Sequence, residues 1–405
     1  MTKRIKELDG VRGIAILMVV VWHFVTCRPK ELMPGSLLYN LHVPTTAFWS
    51  GVDLFFVLSG FLIGGIILDN HTKQSFLKVF WIRRACRILP VLLLLLFTCW
   101  ITGLLLDRQQ FLWLYRDLMP WWTYSTFTQN IAMGLNDIYG GQFLGITWSL
   151  AVEEQFYLVA PLAILFFRQK VFLRSLIPMI LAAFVLRLAF PGFHTEVNTI
   201  FRMDSLLAGV LVAALYRSNI VWKNLEDNRN VTLAAFLCLL VATGGLILRE
   251  SGFGLFKFSW FAILYATFLT VVLLFQSSRL TWILRSKFLC FFGAIAYGFY
   301  MYHQAVLGFL YGWLRGGTPT LLNFGDFLII TAASIISIGV SWISFKTYES
   351  YFLRIGSRYK FGRSKVHEDP PVVVNRLYHH NAVPRNRLKN TKVSNVKAQM
   401  AKLWH

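Results

Sequence analysis

The chain has 405 residues, of which 56% are hydrophobic and only 15% charged; its mean hydropathy is +0.55 and its formal net charge +21. That balance excludes an ordinary soluble domain and leaves room for about ten membrane helices of about 20 residues each. Five scattered cysteines without a CxxC pair argue against a disulfide framework or a zinc site, and no Walker loop, dinucleotide fingerprint or GxSxG elbow is present.

The apolar runs predict an all-α, polytopic transmembrane bundle of about ten spans, at residues 12–26, 47–68, 88–106, 147–167, 175–190, 200–216, 231–248, 258–275, 289–313 and 327–345. The first run ends without a small-residue cleavage motif, so it is expected to stay as a signal anchor. It carries Arg12 at one end and His23 near the other. Eleven residues of helix give about 16 Å of rise and about 1100° of turn, so the two side chains face nearly the same side. A cation and an imidazole on one stripe of a membrane helix must face protein or water, which makes them candidates for a functional site.

Further along, Asp53 opens the second span, and Arg83, Arg84 and Arg87 precede the third. Residues 111–135 are aromatic but interrupted by Pro120 and polar residues, and read as an interfacial or re-entrant piece. In the fourth span Ser149, Glu153 and Tyr157 share one helical face, while Glu154 points about 100° away and is available to pair with another helix. Arg187, Arg202 and Asp204 are further intramembrane charges, for which mutual pairing and ligand binding are the two readings. Tyr297, Tyr300 and His303 form a stripe at three-residue spacing; packing is its plainer explanation. Gly64-Gly65 and Gly244-Gly245 are expected to allow close helix packing.

With a cytoplasmic N-terminus and ten alternating spans, the inside segments before the tail carry 17 Lys/Arg and the outside segments 7. The positive-inside rule then puts both termini in the cytoplasm. From Lys346 onward the chain holds 13 Lys/Arg against three acids. The expected organisation is a membrane domain at 1–350 and a basic cytoplasmic tail at 351–405, partly disordered and drawn to anionic lipid headgroups. The tail has no aromatic interleaving or recognisable module, so no nucleic-acid partner is expected.

Five stretches, in this order, resemble the acyltransferase-3 family of integral membrane acyltransferases: Leu8-Asp9-Gly10-Val11-Arg12-Gly13 with His23; Gly51-Val52-Asp53-Leu54-Phe55-Phe56-Val57-Leu58-Ser59-Gly60-Phe61; Arg83-Arg84-Ala85-Cys86-Arg87-Ile88-Leu89-Pro90; Thr147-Trp148-Ser149-Leu150-Ala151-Val152-Glu153-Glu154-Gln155-Phe156-Tyr157; and Ala296-Tyr297-Gly298-Phe299-Tyr300-Met301-Tyr302-His303. The resemblance spans about residues 5–345. It implies transfer of an acyl group, usually acetyl, from cytoplasmic acyl-CoA to carbohydrates and related acceptors. The family's R-x10-H pattern falls on Arg12 and His23, its R-x-x-R on Arg84 and Arg87, and its acid on Glu153. Its penultimate-helix pattern usually continues His-Trp-Pro, whereas here it reads His303-Gln304-Ala305. Some members carry a fused C-terminal SGNH esterase domain. The tail here is shorter than that, so the membrane domain is expected to complete the transfer or hand over to a separate protein.

The resemblance assigns Arg12, Arg84 and Arg87 to the phosphates of acetyl-CoA, for which guanidinium gives fixed bidentate donors. An ion pair with Asp9 is the alternative for Arg12, and membrane anchoring for the other two. His23 becomes a general base or a transient acyl relay. Asp53 and Glu153, placed in the outer half by the topology, are expected beside it, where a carboxylate would fix the tautomer. Tyr297, Tyr300, His303, Arg202 and Asp204 are candidates for binding a carbohydrate or glycolipid acceptor. No metal is expected. The whole reads as an O-acetyltransferase of cell-envelope polysaccharide, surrounded by membrane lipids in the plasma (inner) membrane. The rival class is a transporter or flippase that uses the same His, Arg and Glu residues as a substrate or proton path.

Overall fold

The computed structural model describes residues 4–28, 42–248 and 253–362. Among them every regular element is helical. Helix α1 (Lys6–Val21) starts with Glu7 and Asp9 in its first turn, where acids suit the helix dipole. It runs into a π-helical turn, Trp22–Thr26, which contains His23. The long helices that follow are α2 (Gly51–Asn70), α3 (Phe76–Leu105), α4 (Trp148–Ala189), α5 (Thr199–Arg217), α6 (Arg229–Ile247), α7 (Lys257–Leu274), α8 (Lys287–Leu314) and α9 (Phe324–Ser344). Residues 111–135 form no span; they carry the short helices Leu112–Tyr115 and Trp121–Ser125 and most of Gln129–Asn136.

Among the described residues eight helical segments are long and apolar enough to cross a membrane. One of them contains α4, whose 42 residues break at Arg168 (φ 57°, ψ 150°). Its two arms occupy the stretches expected as separate spans. Helix α3 turns Leu93, Phe97, Trp100, Leu104 and Leu105 outward, as a lipid-facing helix does.

Glycines set the inner packing. A Cβ on Gly13 would lie 2.2 Å from the Leu289 carbonyl oxygen, and one on Gly293 2.0 Å from that of Asp9, so α1 and α8 touch backbone to backbone. Helices α2 and α5 interlock in the same way through Gly60 and Gly209. Of the glycine pairs expected to pack, Gly64 lies against Val210 and Gly65 against Arg217, but Gly244 and Gly245 have nothing within 4 Å. Helix α6 is mostly exposed, so that second expectation is corrected.

The boundary expected at residue 350 falls inside continuous helix. A second π-helical turn, Phe345–Glu349, leads into α10 (Ser350–Arg358). There Gly356 packs on Cys86 of α3, and Arg83 donates to the Tyr359 carbonyl at 2.8 Å. The start of the expected tail thus belongs to the bundle. The remainder of that tail, 363–405, lies outside the described residues.

Candidate active site

A cavity of about 240 Å³ opens between α1, α2, α3, α4 and α8. Arg12, Arg84, Arg87, Glu153, Tyr297 and Tyr300 all line it, together with Ser59, Ser149 and Tyr157. The shared face of Ser149, Glu153 and Tyr157 read from helical spacing is the face α4 turns to the cavity.

One part of the cavity is cationic. Arg12 is paired to Asp9 at 3.5 Å, and Asp9 is also held by Arg4 at 2.9 Å. The Arg84 guanidinium stands 5.9 Å from the centre of the Tyr157 ring. Among the described residues neither Arg84 nor Arg87 has a carboxylate within ion-pair distance. The cavity lining holds three guanidiniums against one carboxylate, that of Glu153, an excess of positive charge that favours an anion of several charges.

Glu153 stands at this part of the cavity. Its carboxyl group lies beside the hydroxyls of Ser59 and Tyr157 and interacts with Arg87 and Arg84. Ser59 and Tyr157 are also hydrogen-bonded to each other. The expectation of Glu153 beside His23 is therefore corrected. Glu154, expected to pair with another helix, keeps its Oε1 buried without a hydrogen-bond partner among the described residues.

Tyr300 lines another part of the cavity, where its hydroxyl meets the Ser149 hydroxyl at 2.6 Å and the Ile146 carbonyl at 2.9 Å. Tyr297 also lines the cavity, and its hydroxyl donates to the Ile88 carbonyl at 2.8 Å. One turn beyond Tyr300 on α8 is His303, with ring centres 6.0 Å apart. His303 Nε2 lies 3.0 Å from Nδ1 of His23. The π turn that holds His23 is pinned by Arg28, which donates to the His23 carbonyl at 2.7 Å and stacks on Trp113 at 5.0 Å. Single π turns recur at functional positions because they re-aim one side chain. His23 thus adjoins the cavity through His303 and Tyr300, and its imidazole partner is a second imidazole where a carboxylate was expected.

Asp53, Arg202 and Asp204 form a separate buried cluster. Arg202 pairs with Asp53 at 2.8 Å, Ser205 donates to Asp53 at 2.9 Å, and Arg187 pairs with Asp204 at 2.6 Å. Arg202 also stacks on Phe258 at 3.6 Å. Arg202 and Asp204 do not pair with each other, because positions two apart on a helix point to nearly opposite sides. Asp53 faces Arg202, so the expected Asp53–His23 contact is corrected as well. Among the described residues no group of three or more His, Cys, Asp or Glu side chains that could hold a metal ion is found.

Sequence reasoning missed the His23–His303 pair, the π turn and the hydrogen bond between Ser59 and Tyr157. The pair carried a faint signal, since both histidines lie on apolar helices in the stretches noted above.

A cationic cavity joined to an imidazole pair inside a helical bundle defines a polar site enclosed by membrane-length helices. Residues 5–346 match the acyltransferase-3 family, described as an acyltransferase domain, and the chain belongs to that family. It is 26% identical over 359 residues to the O-acetyltransferase OatA of Staphylococcus aureus strain NCTC 8325 / PS 47, and equally to OatA of strain COL. Each alignment covers 82% of this chain and 55% of the relative, so the chain spans about half the length of the curated relatives it matches. No solved structure matches the chain.

Proposed function

We propose that this chain is a membrane-embedded acyltransferase that moves an acetyl group from acetyl-CoA to a carbohydrate hydroxyl. The observation that carries the reading is the gathering of Arg12, Arg84 and Arg87 in one cavity that adjoins the His23–His303 pair. The three arginines take the phosphates of coenzyme A, whose several negative charges match the cationic excess. The thioester extends along the apolar wall formed by Phe55, Leu62 and Met301 toward Tyr300 and His23. His23 removes the proton of the acceptor hydroxyl as it attacks the thioester carbonyl, a task for which a neutral imidazole is suited near pH 7. Glu153, with Ser59 and Tyr157, holds the arginines in place. The enclosing helices keep bulk water away from the thioester, whose hydrolysis competes with transfer.

The positive-inside count supports a cytoplasmic N-terminus and donor access from the cytoplasm of a plasma-membrane protein. The acceptor in this reading is a lipid-linked or extracytoplasmic glycan, consistent with relatives named as O-acetyltransferases. The test supplies labelled acetyl-CoA to the purified chain in sealed lipid vesicles with cell-envelope glycan. The expected result is stoichiometric release of free coenzyme A and label on the glycan. Label that crosses a vesicle membrane without transfer would replace this reading with a transporter.

A further inference from the structure

We propose that His303 is a positioning residue that fixes the tautomer of His23 and leaves Nε2 of His23 as its proton-accepting atom; this rests on the acyl-transfer reading above. Nδ1 of His303 lies 2.7 Å from the Tyr300 carbonyl oxygen and 3.1 Å from that of Phe299. A carbonyl only accepts, so this Nδ1 carries a hydrogen. A neutral imidazole has one N–H, and Nε2 of His303 therefore presents a lone pair.

That lone pair faces Nδ1 of His23 at 3.0 Å, so Nδ1 of His23 is the donor. Nε2 of His23 is then the nitrogen with a lone pair. A charged His303 would break this arrangement. Its side chain is fully buried, no carboxylate contacts either ring among the described residues, and Arg28 is bonded to the His23 backbone. A second cation there would be unpaired and costly. The chain of bonds runs from the carbonyls of α8 through His303 to His23, and each link has one direction.

In the transfer step, the acceptor O–H gives its proton to Nε2 of His23 while its oxygen bonds to the thioester carbonyl carbon. The C–S bond then breaks, and the coenzyme A thiolate leaves with the proton returned from Nε2. While His23 holds that proton, its charge is shared through Nδ1–H with the lone pair of His303. In serine proteases an orienting carboxylate performs this service, and losing the correct tautomer there costs about 10⁴-fold in turnover.

The test uses the full chain in nanodiscs with ¹⁵N-labelled histidine, where nitrogen chemical shifts separate protonated from bare ring nitrogens. A His23→Asn variant identifies the signals of His23. The expected result at pH 7 is a protonated Nδ1 and a bare Nε2 on His23. In His303→Leu this preference is lost and kcat falls on the order of 10²–10⁴-fold, with acetyl-CoA affinity unchanged. His303→Gln, whose amide oxygen still accepts from Nδ1, keeps the tautomer and stays within about tenfold of wild-type kcat.

A bare Nδ1 on wild-type His23 overturns the inference, as does a His303→Leu protein that keeps both tautomer and turnover. If His303→Leu does not fold, the wild-type shifts and His303→Gln decide. If the wild-type chain transfers no acetyl group, the acyl-transfer reading fails, while the shifts still report the tautomer independently.

Discussion

Arg202 of α5 closes on Asp53 of α2 at 2.8 Å, and both side chains are sealed from solvent. Beside them Arg187 of α4 closes on Asp204 at 2.6 Å, and Ser259 of α7 donates to Asp204 at 3.0 Å. Four helices are thus cross-braced by charge where lipid offers no alternative partner.

Breaking a buried pair by removing one member typically costs about 3–5 kcal/mol, because the other charge is left uncompensated. Asp53→Ala is therefore expected to lower the melting temperature and yield of the detergent-solubilised protein, while turnover per folded molecule stays near wild type. Wild-type stability with lost turnover would return Asp53 to the chemistry.

At the cationic part of the cavity, Arg84→Ala and Arg87→Ala are each expected to weaken acetyl-CoA binding by roughly 10- to 100-fold. That is the loss of one charge-assisted hydrogen bond, about 1.5–3 kcal/mol. Lys at either position should restore part of the affinity, since the charge returns without the bidentate fork. Titration calorimetry on the purified variants checks this; unchanged affinity in both Ala variants would reduce these arginines to membrane anchors.

Glu153→Gln separates support from proton transfer. Because Glu153 stands among arginines and hydroxyls and apart from His23, the variant should lose about tenfold in kcat or less, the scale of about one hydrogen bond. Acetyl-CoA affinity should hold or rise as a competing negative charge disappears. Steady-state kinetics give the split, and a loss as deep as that of a His23 variant would make Glu153 the proton carrier.

The contact between α1 and α8 predicts a contrast between two glycines. Gly13→Ala would drive a methyl to 2.2 Å from the Leu289 carbonyl oxygen, whereas Gly244→Ala meets open space. The first should cost about 1–3 kcal/mol or more and the second almost nothing. Thermal unfolding of both proteins, side by side, decides it.

The helices were legible because apolar runs of membrane length have few alternative conformations. The shared face of Ser149, Glu153 and Tyr157 was legible for the same reason: helical spacing alone fixes it. The partners of Asp53, Arg202 and His23 were not, since each lies on a different helix, and pairing across helices depends on packing that no local spacing encodes. The π turn at Trp22–Thr26 was hidden too, because one extra residue in a turn leaves no compositional trace. The ordered stretch after residue 350 was missed because a basic, weakly apolar segment reads as tail until α3 is seen to receive it.

The most direct measurement is acetyl transfer by His23→Ala, with donor affinity measured on the same preparation. His23 lies about 16 Å along the helix from Arg12, too far to touch the phosphates that Arg12 would hold. Acetyl-CoA is expected to bind with wild-type affinity while labelled transfer to envelope glycan falls by on the order of 10²–10⁴-fold, the usual contribution of a general base. Transfer near the wild-type rate, in membranes normalised for protein, would contradict it.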